Sequence, residues 1–94
     1  MAAVTVTTGY PKAESMGSIT LYTWRVTSVD DTDTLATGLG GRLREHWVEW
    51  TGDPVTSLPI AGGHSAESAG TITFYPSSSG HGATVFVIGE SVAV

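Results

Sequence analysis

Asp30, Asp31 and Asp33 lie close together in the chain and could bind a hard cation such as calcium through their carboxylates. The calcium loop of an EF-hand, however, needs a glycine at its sixth position and a glutamate at its twelfth. Counted from Asp30, those positions hold Leu35 and Gly41. Short carboxylates also accept hydrogen bonds from nearby backbone amides in tight turns. The sequence therefore predicts a structural turn here rather than a metal site.

Three histidines are the other candidate metal ligands. His46, His64 and His81 could bind zinc with Glu67 as a fourth ligand, since imidazole and carboxylate groups suit that ion. None of them has the short paired spacing of a zinc site, and the chain has no cysteine to complete one. We place His64 and His81 in loops rich in Gly and Ser. The sequence therefore predicts neither a metal nor a cofactor.

A hydrolase would need a serine that is activated by a histidine and oriented with the help of an acid. Ser65 follows His64 directly, but the G-x-S-x-G turn that preorganises such a serine does not occur. The glycine-rich segment 38–41 lacks the lysine and the serine or threonine of a phosphate-binding loop. We therefore assign no catalytic residue and predict that the protein is not an enzyme.

Aromatic side chains remain as candidates for binding. Tryptophan and tyrosine rings can stack on sugars, and they also dominate protein interfaces and cores. Few amide or acidic side chains accompany these rings on the same predicted strand faces, so a core or a subunit interface is favoured over a sugar site. The rings considered are those of Trp24, Trp47, Trp50, Tyr10, Tyr22 and Tyr75.

The composition limits the classes of function. A chain of 94 residues has room for a single domain, residues 1–94, and folding buries only about two-thirds of its surface. Four basic and nine acidic residues give a net charge of −5, which repels a phosphate backbone and argues against nucleic-acid binding. No segment has the roughly 20 apolar residues of a membrane span or the pattern of a signal peptide. We expect a soluble protein without a membrane partner.

The elements that must position these side chains are strands. Twelve glycines and four prolines interrupt the helical windows, while β-branched and aromatic residues cluster in short runs. The pattern predicts an all-β fold, a small antiparallel β-sandwich or barrel of about seven strands. The expected strands are residues 3–8, 18–29, a short one through Leu35, 43–50, 55–60, 70–75 and 83–88.

Alternation along the longer strands assigns their side chains to faces. The strand at 18–29 has apolar residues on both faces, so both faces must be at least partly covered. The strand at 43–50 has two different faces. One holds Glu45, Trp47 and Glu49, and the other holds His46, Val48 and Trp50.

The last two strands are predicted to form a hairpin through a polar loop at 76–82. Residues 83–88 are an unbroken apolar run, typical of a strand that is central or buried between partners. The apolar end of the chain, 91–94, could pair with an edge strand of the same chain or of a neighbour. A sheet this small cannot cover apolar residues on both faces, which favours a symmetric oligomer. The candidate interface residues are Trp24, Trp47, Trp50, Phe86, Ile88, Val92 and Val94.

Four short motifs carry a resemblance to a known class of protein. They are Val-Asp-Asp-Thr-Asp-Thr at 29–34, Thr-Gly-Leu at 37–39, Gly-Thr-Ile-Thr-Phe at 70–74 and Val-Ile-Gly at 87–89. In that order they resemble segments of small virion proteins of tailed bacteriophages, and the match runs from about residue 20 to residue 89. The segment 42–50 departs from the pattern because it carries several charges and two tryptophans.

The resemblance implies a β-sandwich structural protein of the virion, such as a capsid cement or decoration protein, and commonly a homotrimer. Its partner would be the major capsid protein, and it would assemble in the host cytoplasm, which fits a chain without cysteine. A tail or head-to-tail connector subunit is the alternative within the same particle. A carbohydrate-binding module that uses the tryptophans and tyrosines is the alternative from another class.

Overall fold

The chain forms β-strands in most of the segments that the computed structural model describes, which are residues 2–50, 63–76 and 81–91. Within these segments there are eight strands and one 3₁₀ turn, and the predicted all-β fold is confirmed. The predicted strand at 55–60 lies outside the described residues. The elements are β1 Thr5–Val6, β2 Lys12–Met16, β3 Ile19–Val29, β4 Thr34–Ala36, the 3₁₀ turn Gly40–Arg42, β5 Leu43–Trp50, β6 Gly63–Ser68, β7 Thr71–Pro76 and β8 His81–Glu90.

The strands form two sheets that pack as a small sandwich. In the five-stranded sheet the order is β1-β3-β8-β5, and β2 pairs with β3 further along the edge that β1 also occupies. The three-stranded sheet has the order β4-β7-β6. All these strand pairs are antiparallel. Strand β8 lies between β3 and β5, which confirms its predicted central position.

The core lies between the two sheets. Alternate residues of β3 and β8 face inward, so Trp24 is paired with Val85 and Val26 with Ala83 across the same sheet. The opposing layer supplies Ile72 and Phe74, which are fully buried. The buried apolar residues are Trp24, Val26, Val29, Leu35, Leu39, Ile72, Phe74, Ala83, Val85 and Val87.

The predicted hairpin between the last two strands is wrong. β7 pairs with β4 and β6 in the small sheet, whereas β8 pairs with β3 and β5 in the large one, so the chain crosses between layers after β7. Alternation shows which residues face inward but does not identify the partner strand. The continuous apolar run of β8 fits the centre of the larger sheet better than the edge of a hairpin.

Two strands formed where the sequence analysis expected none. β2 is exposed along its whole length and has the unremarkable sequence Lys-Ala-Glu-Ser-Met, but the turn at Gly17 folds it back onto β3. β6 includes His64, which was expected in a loop, and it pairs along its length with β7. Both are polar strands whose backbone partners, rather than their own propensities, fix their conformation. His81, also expected in a loop, is the first residue of β8.

Candidate interaction surface

The five-stranded sheet has one face toward the core and a second face directed away from it, which we call the outer face. Strand register determines which residues lie side by side across the strands, and we call each such set a row. One row is Leu21, Ile88 and Glu45, and the next is Thr23, Phe86 and Trp47. The predicted faces of the strand at 43–50 are confirmed by this register. The outer face consists of Lys12, Glu14, Met16, Ile19, Leu21, Thr23, Arg25, Glu45, Trp47, Glu49, Thr84, Phe86, Ile88 and Glu90.

An apolar strip crosses the middle of the outer face. Trp47 and Phe86 lie opposite one another on neighbouring strands, and their rings stack at 5.2 Å between centroids with an interplanar angle of 18°. Trp47 remains 43% exposed and Met16 49% exposed. The strip comprises Met16, Ile19, Leu21, Trp47, Phe86 and Ile88. Met16 and Trp47 are exposed at the two ends of the strip, and its other four side chains are half-buried. Apolar side chains grouped on one surface in this way are typical of interaction sites.

The two sides of the outer face carry different charged side chains. Arg25 lies on β3, on one side of β8, and Glu49 lies on β5, on the other side. Both are exposed, and Thr84 of β8 separates them by two strand spacings, or roughly 10 Å. Lys12 lies beyond β3, on β2, with its ammonium group 5.3 Å from the centroid of the Tyr10 ring. The outer face thus carries Lys12, Glu14 and Arg25 on the side of β2 and β3, and Glu45 and Glu49 on the side of β5.

One charge pair is already formed within the chain. Arg44 Nη2 lies 2.6 Å from Glu90 Oε2, and Arg42 Nη1 donates a hydrogen bond of 2.9 Å to the backbone carbonyl of Glu90. All four cations of the chain, these two and Lys12 and Arg25, lie in the strands of the large sheet or in the turn that leads into it. The strands of the small sheet contain no lysine or arginine.

The structure divides the predicted interface residues between the two sides of the large sheet. Trp47, Phe86 and Ile88 lie on the outer face. Trp24 is buried against Tyr22 in the core, and Trp50 faces the core with its ring edge-on to Phe74 at 6.0 Å. Trp47 and Trp50 are three positions apart on one strand, and side chains an odd number of positions apart point to opposite faces. Val92 and Val94 lie outside the described residues.

Sequence reasoning missed a contact between His46 and Ser65. The Nε2 atom of His46 on β5 lies 3.0 Å from the hydroxyl of Ser65 on β6, and both side chains are half-buried. Ser65 thus contacts His46 and not its sequence neighbour His64, whose ring stacks on Tyr75 at 4.7 Å. Among the described hydrogen bonds, no carboxylate orients the His46 ring as a catalytic triad requires. The pair joins the edges of the two sheets.

The acidic turn has a structural arrangement. The Asp30 backbone N–H donates to Asp33 Oδ2 at 2.9 Å, and the Asp33 N–H donates to the Asp30 carbonyl at 3.1 Å. This confirms the predicted turn. Glu67, proposed above as a possible zinc ligand, accepts the Gly70 N–H at 2.9 Å. In the part of the chain that the structure describes, no three His, Cys, Asp or Glu side chains are grouped so as to hold a metal ion.

The helical structure in residues 2–50, 63–76 and 81–91 is limited to the 3₁₀ turn, and no helix there has the length and apolar character needed to cross a membrane. No protein-family model, curated protein or solved structure matches the chain.

Proposed function

We propose that this chain is a structural protein of a tailed-bacteriophage virion, a decoration protein that assembles as a homo-oligomer on the capsid and stabilises it. The observation that carries the proposal is the apolar strip of the outer face. The small sheet covers the inner face of the large sheet and leaves this strip, with Trp47 at one end on β5, open to a second chain. The resemblance to small virion proteins supplies the identity of the particle.

The structure of the outer face suits binding better than chemistry. A sheet face with stacked aromatic rings offers a broad apolar contact to a second chain. The two half-buried polar side chains that do meet, His46 and Ser65, are tied to one another between the sheets. Several such modest surfaces acting together on one capsid would give firm attachment.

The first test is binding to capsid shells. We expect the purified chain to co-sediment with shells assembled from the major capsid protein encoded in the same genome, and to saturate at a number of copies set by the shell symmetry. Trp47→Ala removes the most exposed ring of the strip and should weaken binding by about tenfold or more, because tryptophan is enriched among the residues that dominate the energy of protein interfaces.

Tyr75→Ala is the matched control, because it removes a half-buried aromatic ring from the outer side of the small sheet. It should leave binding to the shells unchanged. Absence of co-sedimentation, or equal loss in both variants, would contradict the proposal. Electron cryomicroscopy of the particle separates this role from a connector subunit, since a connector would follow the tail axis and not the capsid symmetry.

A carbohydrate-binding role is the second candidate, and one observation favours it. Trp47 is partly exposed and lies on the same strand face as Glu45 and Glu49, whose carboxylates can accept hydrogen bonds from sugar hydroxyls. Glycan-array binding that is lost in Trp47→Ala but kept in Trp50→Ala would support it, because Trp50 faces the core. No glycan binding by the unmodified chain would remove this candidate.

A further inference from the structure

We propose that the outer face binds the outer face of a second copy of this chain about a two-fold axis parallel to β8. In this pairing the Phe86 rings of the two copies meet near the axis, and Glu49 of each copy faces Arg25 of the other. The inference rests on the proposed role of the outer face as an assembly surface, but it does not depend on the identity of the shell.

The net charge of the chain points to this surface. Two copies with a charge of −5 each repel one another over most orientations. The acidic turn with Asp30 and Asp31 and the hairpin with Glu67 carry exposed carboxylates and no nearby lysine or arginine in sequence. All four cations lie on or beside the large sheet. The outer face also holds four glutamates, Glu14, Glu45, Glu49 and Glu90, but it has cations beside them, so a second acidic chain is repelled less there than at the acidic turn.

The placement of charges across the sheet fits a two-fold contact. Rotation about an axis along β8 carries β5 of one copy over β3 of the other and keeps each residue in its own row. Arg25, Thr84 and Glu49 form one such row, with the cation and the carboxylate on opposite sides of β8. The rotation consequently forms the Arg25–Glu49 contact twice. Neither side chain makes an ion pair within the described residues of its own chain.

The neighbouring rows are compatible with the same pairing. Trp47 of one copy is carried over Thr23 of the other, next to Lys12, and an ammonium group near a tryptophan ring is favourable. Glu90 lies on β8, so the axis brings the two Glu90 side chains near one another, and each already has Arg44 as its partner. Glu45 of one copy is carried over Leu21 of the other, beside Glu14, which leaves this row without a favourable charge contact. Sheets that stack face to face in this way are common in β-sandwich packing.

The test is a charge-reversal series measured by sedimentation equilibrium on the full chain. We expect the unmodified chain to be a dimer, and Arg25→Glu and Glu49→Arg each to raise its dissociation constant by about tenfold or more, because each places like charges opposite one another twice. The double variant restores both contacts with their signs exchanged. Its dissociation constant should return to within about threefold of the original value.

The two single variants change the net charge in opposite directions, which separates the contact from general repulsion. Glu49→Arg makes the chain less acidic, so repulsion alone would predict tighter association in that variant. Asp31→Lys produces the same change of net charge in the exposed turn, and its dissociation constant should not rise. A monomeric or trimeric unmodified chain, or a double variant that stays as weak as the singles, would overturn the two-fold pairing.

The same samples distinguish this inference from the proposed function. A chain that dimerises and is rescued by the double reversal, yet does not bind capsid shells, would retain the pairing and refute the decoration role. A chain that binds shells through Trp47 but remains monomeric in solution would support the decoration role and refute the two-fold pairing. Circular dichroism on each variant checks the fold, which both positions should tolerate since both side chains are exposed.

Discussion

The two sheets of the domain are held together by different means. In the large sheet, β3 and β8 are 11 and 10 residues long and pair along most of that length. In the small sheet the strands have three, six and six residues, and its outer side carries Thr71 and Thr73 together with the ring of Tyr75. Long strand pairing supports the first sheet, whereas the second has shorter strands and is anchored in the core by Ile72 and Phe74.

The small sheet compensates through its turns. Both the backbone N–H and the hydroxyl of Thr37 donate to the carbonyl of Gly70, at 3.0 and 2.6 Å. The Gly70 N–H in turn donates to Glu67, and the Phe74 N–H donates to the Asp33 carbonyl at 2.8 Å. The comparison indicates that the large sheet is stabilised by long strand pairing and by its inner face, while the small sheet depends more on individual polar contacts.

The largest effect that this comparison predicts is at Gly70. Its φ of +86° is a left-handed conformation, and a Cβ there would collide with the backbone of Gly40. Gly70→Ala should therefore lower the free energy of unfolding by about 3 kcal/mol, which combines left-handed strain with the backbone shift needed to relieve the collision. Urea denaturation followed by tryptophan fluorescence measures it.

Gly17 is the matched control in the large sheet. It begins the turn between β2 and β3 with a φ of +81°, but a Cβ there would meet no atom within 4 Å. Gly17→Ala should cost only the conformational strain, about 1–2 kcal/mol. Equal losses in the two variants would show that the small sheet does not depend on the close approach of Gly70 to Gly40.

Much of the fold could be predicted from the sequence because inward-facing residues repeat every second position. That repeat identified the strand at 43–50 with its two faces, and the apolar run at 83–88 identified the central position of the last strand. It could not reveal β2 or β6, since neither has an apolar face of its own. It also could not show that β7 and β8 belong to different sheets, because pairing partners are selected by tertiary packing.

The candidate surface was predictable only in part. Trp47, Phe86 and Ile88 stood out as apolar residues on strands, but the strip also needs Met16, which lies on an unexpected strand. Arg25 and Glu49 lie on opposite sides of β8 because the strand order is β3-β8-β5. No local sequence pattern indicates this placement, since the strands are far apart in sequence. Long-range order of this kind requires the three-dimensional structure.

A smaller effect is expected at the acidic turn next to the small sheet. Asp33 is 8% exposed, and its carboxylate accepts the Asp30 N–H. Asp33→Ala should lower the free energy of unfolding by about 1–2 kcal/mol, because the hydrogen bond is lost and a backbone donor is left without its partner. Asp31→Ala in the same turn removes an exposed carboxylate and should change stability by less than about 0.5 kcal/mol. Equal effects, measured by the same denaturation, would contradict a structural role specific to Asp33.

The smallest effect should be a gain in stability at Ala69. This residue and Gly70 form the two-residue turn between β6 and β7, and Ala69 has a φ of +51°, which disfavours any side chain. Ala69→Gly should raise the free energy of unfolding by about 0.5 kcal/mol, since relief of left-handed strain exceeds the added flexibility of glycine. Ala66→Gly makes the same chemical change in β6, where the backbone is extended, and should destabilise by about 0.5–1 kcal/mol. Opposite signs in one hairpin would show that the turn limits the stability of the small sheet, whereas a loss at both positions would show that it does not.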